Sequence, residues 1–119
     1  MKASDDNLIL VKSKNLAVRI IRLYKYLLSE KQEDIMSKQL LRSGTSIGAN
    51  IREASQAQSK ADFIAKMSIA LKETVETEYW LELFYETDYL SESEFSSIRE
   101  DCGEVARILI SIIKTSKQN

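Results

Sequence analysis

The sequence predicts an all-α protein, an antiparallel up-down-up-down four-helix bundle that assembles into a homo-oligomer. The chain of 119 residues contains no proline and only three glycines, whereas a sheet protein of this length needs many turns built from such residues. Apolar residues recur at three- and four-residue spacing through four long stretches, which is typical of helices with one buried face. Short links between the stretches favour a bundle, and the length favours a single domain over residues 1–119.

The first helix is predicted over residues 13–29, with an apolar face formed by Leu16, Ile20, Leu23, Tyr24 and Leu27. Residues 1–12 precede this helix, and within them Asn7 to Val11 leave two alternatives open, a helical extension or a short extended lead-in. We expect this lead-in to be mobile, like the polar tail of residues 115–119.

The second helix is predicted over residues 34–56, after a polar link. It carries glycines at Gly44 and Gly48, four residues apart. Because glycine costs about 1 kcal/mol in a helix interior relative to alanine, the pair indicates close approach of another backbone.

The third helix is predicted from Ser59, whose side chain can accept a hydrogen bond from the amide of Asp62, to about residue 88. It is apolar on several faces, and a helix of this kind is buried on most sides. One small bundle cannot cover it fully, so the pattern predicts subunit contacts through Ile69, Tyr79, Trp80, Leu83 and Phe84.

The fourth helix begins at a capping box, in which Ser91 and Glu94 satisfy each other's amides. Its apolar stripe is the most regular in the chain, and consists of Phe95, Ile98, Cys102, Val105, Leu109 and Ile112. Only Tyr89 and Leu90 separate this cap from the third helix, which predicts an antiparallel hairpin.

The residue types argue against an enzyme and against a bound cofactor or metal. The chain has no histidine, and its single cysteine, Cys102, lies on the apolar stripe, where we expect a buried thiol. A site for a hard cation built only from carboxylates, at Glu53, Glu73, Glu76 and Glu78, is a minor alternative. The sequence shows neither a signal peptide nor a run long enough to span a bilayer, so we expect a cytoplasmic protein without membrane contact.

The net charge of −1 conceals a strong asymmetry along the chain. Residues 1–60 carry 11 Lys/Arg and 6 Asp/Glu, and residues 61–119 carry 6 and 12. One interpretation is that the basic half packs against the acidic half, within or between subunits. The other is a basic surface that meets RNA or DNA, formed by Arg19, Arg22, Lys25, Lys38, Arg42 and Arg52.

A specific combination of residues stands in the second helix, in the third helix and directly after it: Gln39, Arg42, Ser43, Ser46, Ile47, Asn50, Ile51 and Glu53, then Ser59, Phe63, Ile69, Ala70, Glu76 and Glu78, then Tyr89 and Leu90. In these residues the chain resembles a family of bacterial four-helix-bundle proteins named after intervening sequences of 23S ribosomal RNA genes. The resemblance covers nearly the whole chain. Its signature positions lie in the second and third helices, and the sequence departs from the usual family residues at Gly48, Arg52 and Ala54. The positions that we expect to fix the helix register are Gln39, Arg42, Ser43, Gly44, Ser46, Gly48, Asn50, Glu53, Glu76 and Glu78. Among them, Asn50, Glu53 and Glu76 are expected to form mutually satisfied hydrogen bonds in the interior.

The resemblance implies a homo-oligomer, typically a five-fold ring. A related group, the accessory variability proteins of diversity-generating retroelements, binds nucleic acid and a reverse transcriptase. The sequence therefore predicts a non-enzymatic oligomeric scaffold that binds nucleic acid weakly through helices 1 and 2. A protein-partner adaptor without a nucleic-acid role is the alternative, and an enzyme or metal-binding bundle is a second one.

Overall fold

A computed structural model describes residues 3–118, and its side chains from residue 7 onward. It contains four helices, α1 (Ala3–Ser29), α2 (Met36–Ala54), α3 (Lys60–Glu86) and α4 (Glu92–Gln118), and the described range contains no strand. The chain measures 47 × 23 × 19 Å along its principal axes. The predicted all-α, four-helix organisation is confirmed.

The core is one apolar cluster to which every helix contributes. Fully buried members include Ile20 of α1, Leu40 of α2, Phe84 of α3 and Leu109 of α4. Helix α1 packs against α2 and α4, and α3 packs against the same two helices. Burial of these side chains provides the main favourable term in folding.

Helix α1 begins well before the predicted position. Residues 7–11 are helical, and Ile9 is fully buried in the core, so the helical extension is the correct alternative for this segment. At the other end α4 continues to Gln118, with Ser116 buried. The predicted mobility of residues 1–12 and 115–119 stays a prediction, and residues 1, 2 and 119 lie outside the described part of the chain.

Glu33 caps helix α2, and the sequence analysis did not identify this role. Its carboxylate accepts hydrogen bonds from the amides of Ile35, Met36 and Ser37 at 3.2, 2.9 and 2.8 Å, and the Ser37 hydroxyl donates to the Glu33 carbonyl at 2.7 Å. Burial opposes the charged form of this carboxyl, but the three backbone donors outweigh it and lower the pKa of Glu33. The helix therefore starts at Met36 and not at residue 34.

The other helix ends follow local rules. Ser59 accepts from the Asp62 amide at 3.0 Å, and Ser91 and Glu94 form the predicted reciprocal cap at 2.8 and 3.2 Å. After α3, Asp88 adopts a left-handed φ of 70°, and the Tyr89 amide donates to the Phe84 carbonyl at 2.8 Å. This is a Schellman termination, which turns the chain into α4 within a few residues.

Candidate functional site

The two glycines of α2 lie against α1. A Cβ added to Gly44 would lie 2.7 Å from Cγ2 and 2.9 Å from Cγ1 of Ile20. A Cβ added to Gly48 would meet the Ser13 hydroxyl at 3.5 Å and the Ser13 carbonyl oxygen at 3.7 Å, which is ordinary contact. Gly44 is therefore required by the packing, whereas Gly48 permits a close approach without requiring glycine.

A cluster of charged and aromatic side chains joins α2 to α3. The Arg42 guanidinium pairs with Glu73 at 3.2 Å and with Glu76 at closer range, and the Trp80 indole donates to Glu76 at 3.0 Å. The bond from Trp80, together with Arg42, lowers the pKa of Glu76. Gln39 completes the cluster by accepting from Arg42 at 3.4 Å. We call these residues the Arg42 cluster. Next to it in sequence, and buried, the Thr77 hydroxyl donates to the Ser43 hydroxyl at 2.9 Å.

The predicted mutual bonding of Asn50, Glu53 and Glu76 is wrong. Asn50 donates to the Ser46 carbonyl at 2.8 Å within its own helix, and Glu53 is exposed and pairs with Lys66 at 3.0 Å. Ser46 likewise donates to the Arg42 carbonyl at 2.6 Å. These residues face different directions on α2. Arg42, Ser43 and Glu53 each tie α2 to α3 through separate side-chain hydrogen bonds, and Asn50 does not take part.

Glu78 lies on the opposite side of α3, which faces α4, and Cys102 lies on α4 itself. Burial raises the pKa of Glu78, and Arg99 only partly compensates. Cys102 is fully buried, as predicted, and burial raises the pKa of its thiol to about 12. At neutral pH this cysteine therefore carries its proton.

The four carboxylates considered for a cation site do not converge. Glu73 and Glu76 share Arg42, Glu53 faces Lys66, and Glu78 lies on the other side of α3. Within residues 3–118, no group of three or more histidine, cysteine, aspartate or glutamate side chains is placed to hold a metal ion.

The outer face of α3 presents apolar side chains to solvent. Val75 is 60% exposed, Tyr79 53% and Ile69 40%. Leu71, Val75 and Tyr79 follow one another at four-residue spacing and line a shallow groove of about 680 Å³ with Lys72 and Glu76. We call Ile69, Leu71, Val75 and Tyr79 the α3 outer face.

The predicted subunit-contact residues differ in how far their side chains are exposed to solvent. Ile69 and Tyr79 are exposed, and Trp80 and Leu83 are half-buried. Phe84, in contrast, is fully buried and stacks edge-on against Tyr89 at 5.6 Å between ring centroids. Its prediction as a contact residue was wrong because the three- and four-residue spacing of Met67, Ala70, Thr74, Thr77 and Leu81 brings position 84 onto the core side.

The six basic residues predicted to form one surface are separated in the structure. Arg19 pairs with Asp101 of α4 at 2.8 Å and Arg42 with acids of α3, so the basic half does pack against the acidic half. Arg52 lies fourteen residues beyond Lys38 on α2, about 20 Å along the axis. Without Arg19, Arg42 and the distant Arg52, three exposed basic residues of the predicted surface are left, namely Arg22, Lys25 and Lys38.

Comparisons with known proteins place the chain in a family. The model for the 23S rRNA-intervening sequence protein matches residues 5–111. The chain belongs to this family. The predicted resemblance is thereby confirmed over most of the described residues.

A solved structure supports the same placement in the 23S rRNA-intervening sequence family. It is a protein with unknown function from the S23 ribosomal protein family of Bacteroides thetaiotaomicron, 60% identical to this chain, with a TM-score of 0.92. The alignment covers 92% of this chain and 98% of that one. No curated protein matches the chain. None of the helices in residues 3–118 is both long and apolar enough to cross a bilayer.

Proposed function

We propose that this protein is a non-enzymatic homo-oligomeric scaffold whose subunits associate through the α3 outer face. The observation that carries the proposal is the exposure of Val75 and Tyr79, one turn apart at the centre of a long helix. Clustered exposed apolar side chains of this kind typically mark interaction surfaces. The Arg42 cluster borders them through Glu76, so a charged and aromatic rim adjoins the apolar strip.

The up-down-up-down connectivity is part of the same proposal. It is supported by contacts between neighbouring helices. In these contacts the residue number rises along one helix and falls along the other, as expected when the two helices are antiparallel. Gly44 lies against Ile20 and Gly48 against Ser13, and on the other side of the bundle Arg42 pairs with Glu76 and Glu53 with Lys66. The family resemblance implies five subunits in a ring. Each subunit of such a ring would present the α3 outer face.

The proposal predicts that Val75→Asp disrupts assembly. A charge in an apolar interface loses its hydration without gaining a partner, and the variant is expected to shift to the monomer mass of 13.6 kDa in light scattering. The matched control is Ile110→Asp on α4, whose native side chain is 52% exposed. An unchanged mass for Val75→Asp, or equal dissociation in both variants, would reject the α3 outer face as the interface.

A second candidate function is weak nucleic-acid binding by Arg22, Lys25 and Lys38. These side chains are exposed. Ile20 of α1 lies against Gly44 of α2, and counting along the two helices from this contact places Lys25 and Lys38 at similar positions along the bundle axis. Phosphate contacts by three cations per subunit would multiply around an oligomer. A protein partner instead of nucleic acid remains the alternative for the same scaffold.

Reversal of two charges tests the nucleic-acid candidate. Arg22→Glu with Lys25→Glu is expected to abolish binding of RNA or DNA while leaving the oligomer mass unchanged. Wild-type affinity should fall steeply as salt rises, because phosphate binding releases counterions, and it should depend little on base sequence. Absence of wild-type binding at low salt, or equal binding by the reversed variant, would favour the protein-partner alternative.

A further inference from the structure

A groove of about 280 Å³ lies between α1 and the start of α4, apart from the α3 outer face. Leu23, Leu90 and Ile98 supply its apolar lining, and Leu90 and Ile98 are part of the core cluster. The Tyr26 ring also lines it. The volume is close to the lower end of the range for small-molecule sites.

Three charged side chains line the same groove, and two of them already have partners. Arg19 donates to Asp101 at 2.8 Å and to the Ser97 hydroxyl at 2.6 Å. Glu94 accepts from the Ser91 amide at 2.8 Å through Oε1, and its carboxylate also interacts with the Ser91 side chain and with Lys31. Arg22 makes no hydrogen bond or ion pair within the described part of the chain. The groove therefore offers one uncommitted guanidinium beside an apolar lining.

This arrangement selects a class of ligand. A guanidinium presents two parallel donors that match a carboxylate, and the apolar lining favours a hydrocarbon body. Glu94 also lines the groove, so each further negative charge on a ligand adds repulsion, which favours a single carboxylate over a dianion. We propose that the groove binds small monocarboxylates with an apolar body, the carboxylate on Arg22 and the body against Leu23, Leu90 and Ile98.

Such a carboxylate has two chemical sources, a simple organic acid or an apolar amino acid. An amino acid would add an ammonium group, which the negative charge of Glu94 in the groove lining would attract. The pair 4-methylpentanoate and leucine share one carbon skeleton and differ by this ammonium group. Tighter binding of leucine would assign the amino acid as the source, and tighter binding of 4-methylpentanoate would assign the simple acid.

The test is a two-dimensional NMR titration of the full-length protein with each of these compounds and with inorganic phosphate. We expect saturable shifts around Leu23 and Ile98 with the carboxylates and weaker effects with phosphate. Arg22→Gln should weaken carboxylate binding by about tenfold or more, because it removes a charged hydrogen-bond partner. Lys14→Gln, an exposed change on the same helix outside the groove, should leave the affinity unchanged.

Three results would overturn this proposal. They are the absence of saturable shifts in the wild-type protein, equal affinity of the Arg22→Gln and wild-type proteins, and phosphate binding as tight as carboxylate binding. The spectra themselves report whether each variant is folded. Because Arg22 is exposed, its replacement is expected to leave the fold intact.

Discussion

Gly44→Leu is expected to lower the free energy of unfolding by about 1–3 kcal/mol or more, the usual cost of overpacking a core. Even the first carbon of the new side chain would lie 2.7 Å from the fully buried Ile20. The backbone of α2 and the Ile20 side chain of α1 therefore cannot both keep their present positions. Urea unfolding at fixed protein concentration, followed by circular dichroism, measures the change.

Two controls separate the steric effect from helix propensity. Gly48→Ala should stabilise the protein by up to about 1 kcal/mol, since its Cβ meets only ordinary contacts and alanine favours the helix. The cost of Gly44→Ala should shrink in an Ile20→Ala background, because the clashing carbons are then absent. A Gly44→Leu variant as stable as the wild type would show that α1 and α2 are not closely packed at this point.

Phe84→Ala is the second change with a large expected effect, about 3–5 kcal/mol for removal of a fully buried ring. Tyr79→Ala, five residues earlier on the same helix, removes a ring of similar size that is 53% exposed. Its effect should appear in the concentration dependence of unfolding, as expected of an interface residue, and not as a loss of core packing.

Unfolding curves at several protein concentrations distinguish the two variants. The Phe84→Ala transition should move to lower urea by a similar amount at every concentration. Equal shifts for Phe84→Ala and Tyr79→Ala would contradict the assignment of one ring to the core and the other to the surface.

The sequence predicted those features of the fold that depend on near neighbours in the chain. Ser59 and the Ser91–Glu94 pair are capping residues whose partners lie three residues away, so the pattern alone was sufficient. The Glu33 cap was missed because glutamate is not among the common N-cap residues. Gln32, directly before Glu33, adopts a left-handed φ of 53°, which no local signal in the sequence indicates.

The candidate site was only partly predictable, because its contacts join distant positions. On α3, apolar residues cover several faces, so hydrophobicity did not show whether Phe84 or Tyr79 faced the core. The charge asymmetry correctly indicated packing of basic against acidic segments, as in Arg19 with Asp101. It did not reveal which cations this packing would neutralise, and the six-residue basic surface was therefore overestimated.

The most direct test of the scaffold proposal is the mass of the wild-type protein in solution. Size-exclusion chromatography with light scattering at micromolar concentration is expected to give the mass of two or more chains of 13.6 kDa each, with five as the number implied by family resemblance. A wild-type mass equal to that of one chain at this concentration would contradict the proposal.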